Sequence, residues 1–122
     1  MIKSKKAKVF ALTGDLGSGK TTFLQGMAKG MGIEKRIVSP TFILMRRYDA
    51  GKKVFYHIDL YRLDDNADEE LENLGFKDFI KDSKNVIAIE WAEKAIELLP
   101  KNTTKIEFEY LGEDKRKIII AK

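Results

Sequence analysis

The sequence predicts an α/β fold with a mixed sheet, and three observations carry that prediction. The first is the stretch Gly14-Asp15-Leu16-Gly17-Ser18-Gly19-Lys20-Thr21, which keeps the spacing glycine, four residues, glycine, lysine, serine or threonine. It lies between an apolar strand-like run, residues 8–13 (KVFALT), and a helical apolar pattern over residues 21–31. The second is residues 85–91 (NVIAIEW), the most apolar run in the chain. Its continuity, without alternation, marks a central strand buried on both faces. The third is a pair of split strand-like segments: residues 42–48 and 54–60 around Asp49-Ala50-Gly51-Lys52, and residues 104–110 and 116–121 around Gly112-Glu113-Asp114. Turn residues over so short a gap predict antiparallel hairpins. Together these give one mixed α/β layer fold over residues 1–122, with the glycine-rich turn after its first clear strand.

The residue types of that turn point to phosphate. A backbone that wraps a triphosphate must turn its N–H groups inward and approach the oxygens closely. Gly14, Gly17 and Gly19 allow the positive-φ conformations and close approach that a Cβ would block. The helix that follows adds unpaired N–H donors and the positive end of its dipole. Lys20 has the reach for the terminal phosphates, and the Thr21 hydroxyl is placed to ligate magnesium.

The first helix is expected over residues 19–31, with Phe23, Leu24, Met27, Ala28 and Met31 toward the sheet and Gly32 as a left-handed cap. Ser39-Pro40 then forces an extended or turn conformation before Thr41. Thr41 is a candidate γ-phosphate sensor, and a plain turn threonine fits equally well. The strand VFYHID delivers Asp59 at its end, as a magnesium or water site beside a phosphate loop requires. His57, the only histidine, shares a strand face with Asp59. A packed or hydrogen-bonded structural histidine is the preferred reading there.

Residues 64–82 are acidic and helical, with Leu71, Leu74, Phe76, Phe79 and Ile80 as the apolar stripe and Gly75 dividing two short helices. Their acids read as a solvated face at helix starts rather than as metal ligands. The central strand ends in Glu90, whose carboxylate is costly to bury without a cation, so a role at the metal is preferred over a structural one. Trp91 follows, as core or as site lining. Residues 92–99 are expected to form a short helix stopped by Pro100.

Bulk properties narrow the class. No apolar run is long enough to span a bilayer, and the basic start MIKSKKAKVF lacks the apolar segment of a signal peptide. The absence of cysteine excludes disulfides, thiolate metal sites and cysteine nucleophiles. These features fit a cytoplasmic location. The net charge of +4 comes with lysine clusters, but no RNA-binding motif accompanies them, so a solvated surface is the preferred reading over contact with RNA. A guanine-specificity Asn-Lys-x-Asp motif is absent, and Asp59 is followed by Leu60, Tyr61 and Arg62 rather than by the x-x-Gly of a GTPase. About 100 residues after the loop leave little room for a kinase lid and second substrate pocket. A compact ATPase or ATP-dependent switch remains.

The motifs GDLGSGKTTF, SPTFIL, HIDLYRL, EELENLG and IEWAEK with LLP, in that order and spacing from Ala11 to about Arg116, closely resemble the TsaE (YjeE-type) family of tRNA threonylcarbamoyladenosine biosynthesis ATPases. The resemblance implies a P-loop three-layer fold with a mainly parallel sheet, ATP and Mg²⁺ as cofactors, and a cytoplasmic protein. It also implies TsaD and TsaB-type partners, with tRNA met indirectly through their complex, and a role in supporting turnover of that complex. By motif it implies phosphate contacts from Asp15, Leu16, Gly17, Ser18, Gly19, Lys20, Thr21 and Thr22, with Thr21 and Glu90 as magnesium ligands. Thr41 falls in the switch-like segment, Asp59 looks like a hydrolytic or metal-site acid, and Trp91 and Arg116 look like nucleotide neighbours. Family members usually carry a further helix and strand before the loop. Only thirteen residues precede it here, so a shortened N-terminal region is expected. Two other readings stay open on residues alone: a nucleotide-gated binding module that acts without hydrolysis, and a small-molecule kinase.

Overall fold

The computed structural model describes residues 6–14, 20–34, 45–61, 63, 66–112 and 116–121, the last range beginning with the backbone alone of Arg116. Within these residues six strands form one sheet in the order β2-β3-β4-β1-β5-β6. The strands are β1 (Lys8–Gly14), β2 (Met45–Ala50), β3 (Lys53–Asp59), β4 (Asn85–Glu90), β5 (Thr104–Tyr110) and β6 (Arg116–Ala121). β3, β4, β1 and β5 run parallel, and β2 and β6 close the two edges as antiparallel hairpin partners of β3 and β5. This is the mixed, mainly parallel α/β sheet with flanking hairpins that the sequence predicts.

Two cores, one on each face, make three layers. On one face α1 (Lys20–Gly30) packs Leu24 and Ala28 against Leu12, Phe55, Val86, Ala88, Ile106 and Phe108. The edge-to-face contact of Phe23 with Phe108, centroids 5.4 Å apart, pins the start of α1 to β5. On the other face α2 (Ala67–Asn73) and α3 (Phe76–Phe79) bury Leu71 and Phe76 over Val9, Ala11, Tyr56, Ile58, Ile87 and Ile89. Burying each such large side chain contributes about 1.5–3 kcal/mol. β4 is buried along its whole length, as its unbroken apolar run requires.

Local signals explain the boundaries. At the end of α1 the Gly32 N–H donates to the Lys29 carbonyl and the Ile33 N–H to the Ala28 carbonyl, with Gly32 at φ +86. That is a Schellman cap, and Ile33 and Ala28 share its apolar contact in the core. In the first hairpin Ala50 faces Lys53 across Gly51-Lys52 with Gly51 at φ +66, the position where a II′ turn requires glycine.

The short helix expected over residues 92–99 is present, as a 3-10 segment. Residues Ala92–Leu98 form 3-10 turns broken at Ala95, which has φ −140 and ψ 38. The apolar residues Ala92, Ala95 and Leu98 recur every third position and all pack on the α2 side of the sheet. That period matches the three residues per turn of a 3-10 segment and not the 3.6 of an α-helix. On edge strand β6, Ile118, Ile119 and Ile120 are all exposed.

Gly14 ends β1 at φ +135, opposite Phe108 of β5, and a Cβ there would lie 2.3 Å from the Phe108 carbonyl oxygen. Gly14→Ala is therefore expected to cost at least about 1–3 kcal/mol, from strain at positive φ and a backbone clash that no side-chain rotation relieves. The urea midpoint measures it, and an unchanged midpoint would show that β5 yields at no cost.

Candidate functional site

The site is built by register. β1, β4 and β3 are parallel neighbours, so their C-terminal ends share one edge of the sheet. Gly14 ends β1, Glu90 ends β4 and Asp59 ends β3. Asp59 lies directly opposite Glu90, and Glu90 opposite Leu12, two residues before Gly14. Side chains alternate along a strand. Asp59 and His57 therefore share a face with Phe55, and Glu90 with Ala88 and Val86, which is the face covered by α1. The two acids named from sequence lie side by side at the edge of the sheet where β1 ends.

Lys20 opens α1 and is buried, with 5 % of its surface exposed. Its Nζ donates to the Gly14 carbonyl at 2.8 Å and stands 4.5 Å from the centre of the Trp91 ring. Among the described residues no carboxylate lies within ion-pair distance of it. A buried ammonium satisfied by one carbonyl and a ring face keeps donors to spare for an anion. Thr21 and Thr22 follow in the first turn of α1 and are exposed.

Glu90 is buried, and its Oε2 lies 2.7 Å from Nε2 of the equally buried His57. His57 is thus hydrogen-bonded, as the sequence favours, but to the site's own acid. Asp59 is half-buried, and its Oδ1 accepts the Tyr61 N–H at 2.9 Å, a local turn that fixes the carboxylate. Burial chiefly pushes the Asp59 carboxyl above the ordinary value of 3.8, aided by the negative charge of Glu90; the Tyr61 N–H, His57 and Lys20 pull the other way.

Besides Trp91, which the sequence already names, two contributors were not singled out by sequence reasoning, Tyr61 and Lys94. Trp91 adopts a left-handed backbone, φ 59 and ψ 39, which costs a non-glycine residue about 1–2 kcal/mol. Its ring packs against Tyr61 with centroids 5.1 Å apart. Lys94 donates to the Tyr61 carbonyl at 2.8 Å and to the Leu63 carbonyl, clamping the segment after β3 to the segment after β4. The order of the HIDLYRL and IEWAEK motifs held the signal, but only the β3–β4 register turns it into contact. Asp15, Leu16, Gly17, Ser18, Gly19, Thr41 and Arg62 lie outside the described residues, as does the side chain of Arg116, whose backbone pairs with Tyr110.

Residues 1–118 match the family model described as threonylcarbamoyl adenosine biosynthesis protein TsaE. The chain belongs to the TsaE family. It is 39 % identical over 115 residues to the Bacillus subtilis tRNA threonylcarbamoyladenosine biosynthesis protein TsaE, covering 94 % of this chain and 70 % of that protein. The Haemophilus influenzae protein of the same name is 38 % identical over 120 residues, covering 98 % and 74 %. The crystal structure of Bacillus subtilis YdiB superposes with a TM-score of 0.72 at 36 % identity, covering 94 % of this chain and 68 % of that one. The TsaE fold here is therefore a P-loop nucleotide-binding fold, and no described helix is long and apolar enough to cross a membrane.

Because the native state holds the Asp59 proton to higher pH than the unfolded chain, it binds more protons between 3.8 and the raised value. The stability Asp59 contributes is fully present below 3.8 and is lost as pH rises through the raised value. Asp59→Asn keeps the Oδ1 acceptor and removes the charge. It should raise the melting temperature by a few degrees at neutral pH, with the gain vanishing below pH 3.8. Melting curves across pH measure this, and a variant less stable at neutral pH contradicts it.

Proposed function

We propose that this chain is an ATP-binding, slowly hydrolysing P-loop ATPase that acts in formation of the threonylcarbamoyl group on the adenosine beside the anticodon of certain tRNAs. In this reading it works in the cytoplasm and supports turnover of a TsaB–TsaD complex. The observation that carries it is the meeting of Lys20, Asp59 and Glu90 at one edge of the sheet, in a chain of the TsaE family.

The residues present fit the expected ligands. The buried Lys20 ammonium is within ion-pair distance of no described carboxylate, which suits a terminal phosphate. The described residues hold no group of three or more His, Asp or Glu able to cage a metal. Magnesium is usually bound by one or two carboxylates together with substrate phosphates, so this sparse oxygen set suits it. In this reading Thr21 and Glu90 hold the ion, which neutralises charge on the phosphates when bound. Lys20 draws the terminal phosphate toward the start of α1, and Asp59, fixed by the Tyr61 N–H, orients the attacking water. Thr41 and residues 15–19 complete the cradle, with Trp91 and Arg116 as nucleotide neighbours.

In this reading turnover without a partner is slow. Of the arginines whose side chains are described, Arg47 is engaged by Asp49 at 3.2 Å and Arg46 is exposed on edge strand β2. A partner protein is then a source of further transition-state charge. The test is hydrolysis of ATP and of GTP by the purified protein, alone and with TsaB, TsaD and tRNA. ATP-selective hydrolysis that rises with the partners is expected, and equal rates with and without them overturn it. Full support of tRNA modification by a non-hydrolysable analogue turns the reading to a nucleotide-gated module.

Lys20→Ala should abolish nucleotide-dependent activity, and Glu90→Ala should slow hydrolysis by about 100-fold. Wild-type rates in either variant break the assignment. Trp91 is the only tryptophan. Its emission should shift when ATP draws Lys20 off the ring, in the wild-type protein and not in Lys20→Ala. An emission spectrum unmoved by ATP at concentrations that support hydrolysis separates Trp91 from the nucleotide.

A further inference from the structure

His57 is more than a packed core residue. Its imidazole is 1 % exposed and sits on β3 between Tyr56 and Ile58, where an aliphatic or phenyl side chain would pack without burying polar atoms. One ring nitrogen, Nε2, meets Glu90 Oε2 at 2.7 Å, and the other, Nδ1, is buried with no hydrogen-bond partner among the described residues. Apolar replacement of such a buried polar pair is often neutral or stabilising, so the fold alone does not call for it. The unpartnered Nδ1 also selects the tautomer. A proton on Nδ1 would bury an unpaired donor, whereas a proton on Nε2 is donated to the carboxylate and leaves Nδ1 as a bare lone pair.

The effect falls on Glu90. Its Oε2 is held by His57, and its second oxygen accepts no hydrogen bond from a described residue. Without the imidazole, a carboxylate 5 % exposed would lose its only donor among the described residues and its fixed orientation. We propose that His57 is the positioning residue for Glu90: its Nε2–H fixes one carboxylate oxygen so that the other stays free at the C-terminal edge of the sheet for the site's divalent cation. The proposal rests on the ATPase reading above and adds the group that orients its metal-side acid.

The test uses the full chain with its partners. His57→Phe keeps the volume and removes the donor; His57→Gln keeps a donor. His57→Phe should raise the Mg²⁺ concentration for half-maximal hydrolysis and lower kcat, each by about 10–100-fold, as loss of an outer-sphere hydrogen bond to a metal ligand does elsewhere. KM for ATP should hold, because Lys20 is untouched, and His57→Gln should recover most of the loss. In a Glu90→Ala background, His57→Phe should have no further effect. Wild-type Mg²⁺ dependence and kcat in a folded His57→Phe overturn the proposal. So does a loss in which the double variant falls as far again.

A second readout needs no activity. His57 is the only histidine, so long-range ¹H–¹⁵N spectra of the nucleotide-free protein report a single imidazole. The Nε2–H tautomer is expected in the wild type, with its signals displaced in Glu90→Ala. A ring protonated on Nδ1 alone, with Nε2 bare, overturns the proposal whether or not the protein hydrolyses ATP. If Lys20→Ala and Glu90→Ala leave hydrolysis unchanged, it is the ATPase reading that has failed, and the spectra still decide the contact between His57 and Glu90.

Discussion

The parallel register of β3, β4 and β1 is the constraint on which the site depends. It sets Asp59 against Glu90 and Glu90 against Leu12, so that two acids and the start of the loop share an edge. Side-chain period along a strand is two, so a slip of one residue would send Asp59, His57 and Glu90 into the apolar core under α2. The cores prevent that slip. Val54, Tyr56 and Ile58 fill one face and Phe55 the other, and Val86 to Ile89 alternate in the same way on the next strand. The geometry of the candidate site is thus held by the same packing that holds the sheet.

That packing leaves charge unfinished where the strands end. Lys20 is buried with a carbonyl and a ring for company, Asp59 is pushed toward its neutral form, and Glu90 depends on one imidazole. In a core such groups would be pure cost. At the open edge of a parallel sheet, beside a helix N-terminus, they are complementary to a ligand that carries both phosphate oxygens and a cation. The excess positive group lies on the loop side and the excess negative groups on the strand side. In the proposed reading a metal–triphosphate would bridge the two.

The class, the hairpins and the acids were legible in the sequence because each rests on local chemistry. A glycine-lysine-threonine spacing, a period-two alternation and an unbroken apolar strand are read within a few residues. What could not be read depends on register or on competition between periods. His57 is two residues from Asp59, which places it on the right face, but its partner Glu90 is 33 positions away and is found only through strand pairing. Residues 92–98 carry helix-forming residues, yet the spacing of Ala92, Ala95 and Leu98 lets tertiary packing choose a 3-10 turn over an α-helix. The all-round exposure of Ile118, Ile119 and Ile120 is invisible to hydropathy, because apolar character does not say which strand will stand at an edge.

Trp91 shows how the two layers are joined around the end of the sheet. It packs against the α2-side core, yet its ring receives Lys20 from α1 on the opposite face. The left-handed backbone makes this possible, since the chain must turn sharply after the buried Glu90 to send the indole to the edge and Ala92 back to the core. Glycine would adopt the turn without strain but would leave Lys20 and Tyr61 without a ring between them. The strain is held by contacts on both sides of the indole and by the Lys94 clamp on the Tyr61 carbonyl. A change at the half-exposed Tyr61 therefore has a short physical route to Lys20, through one tilted ring contact and one cation–π contact.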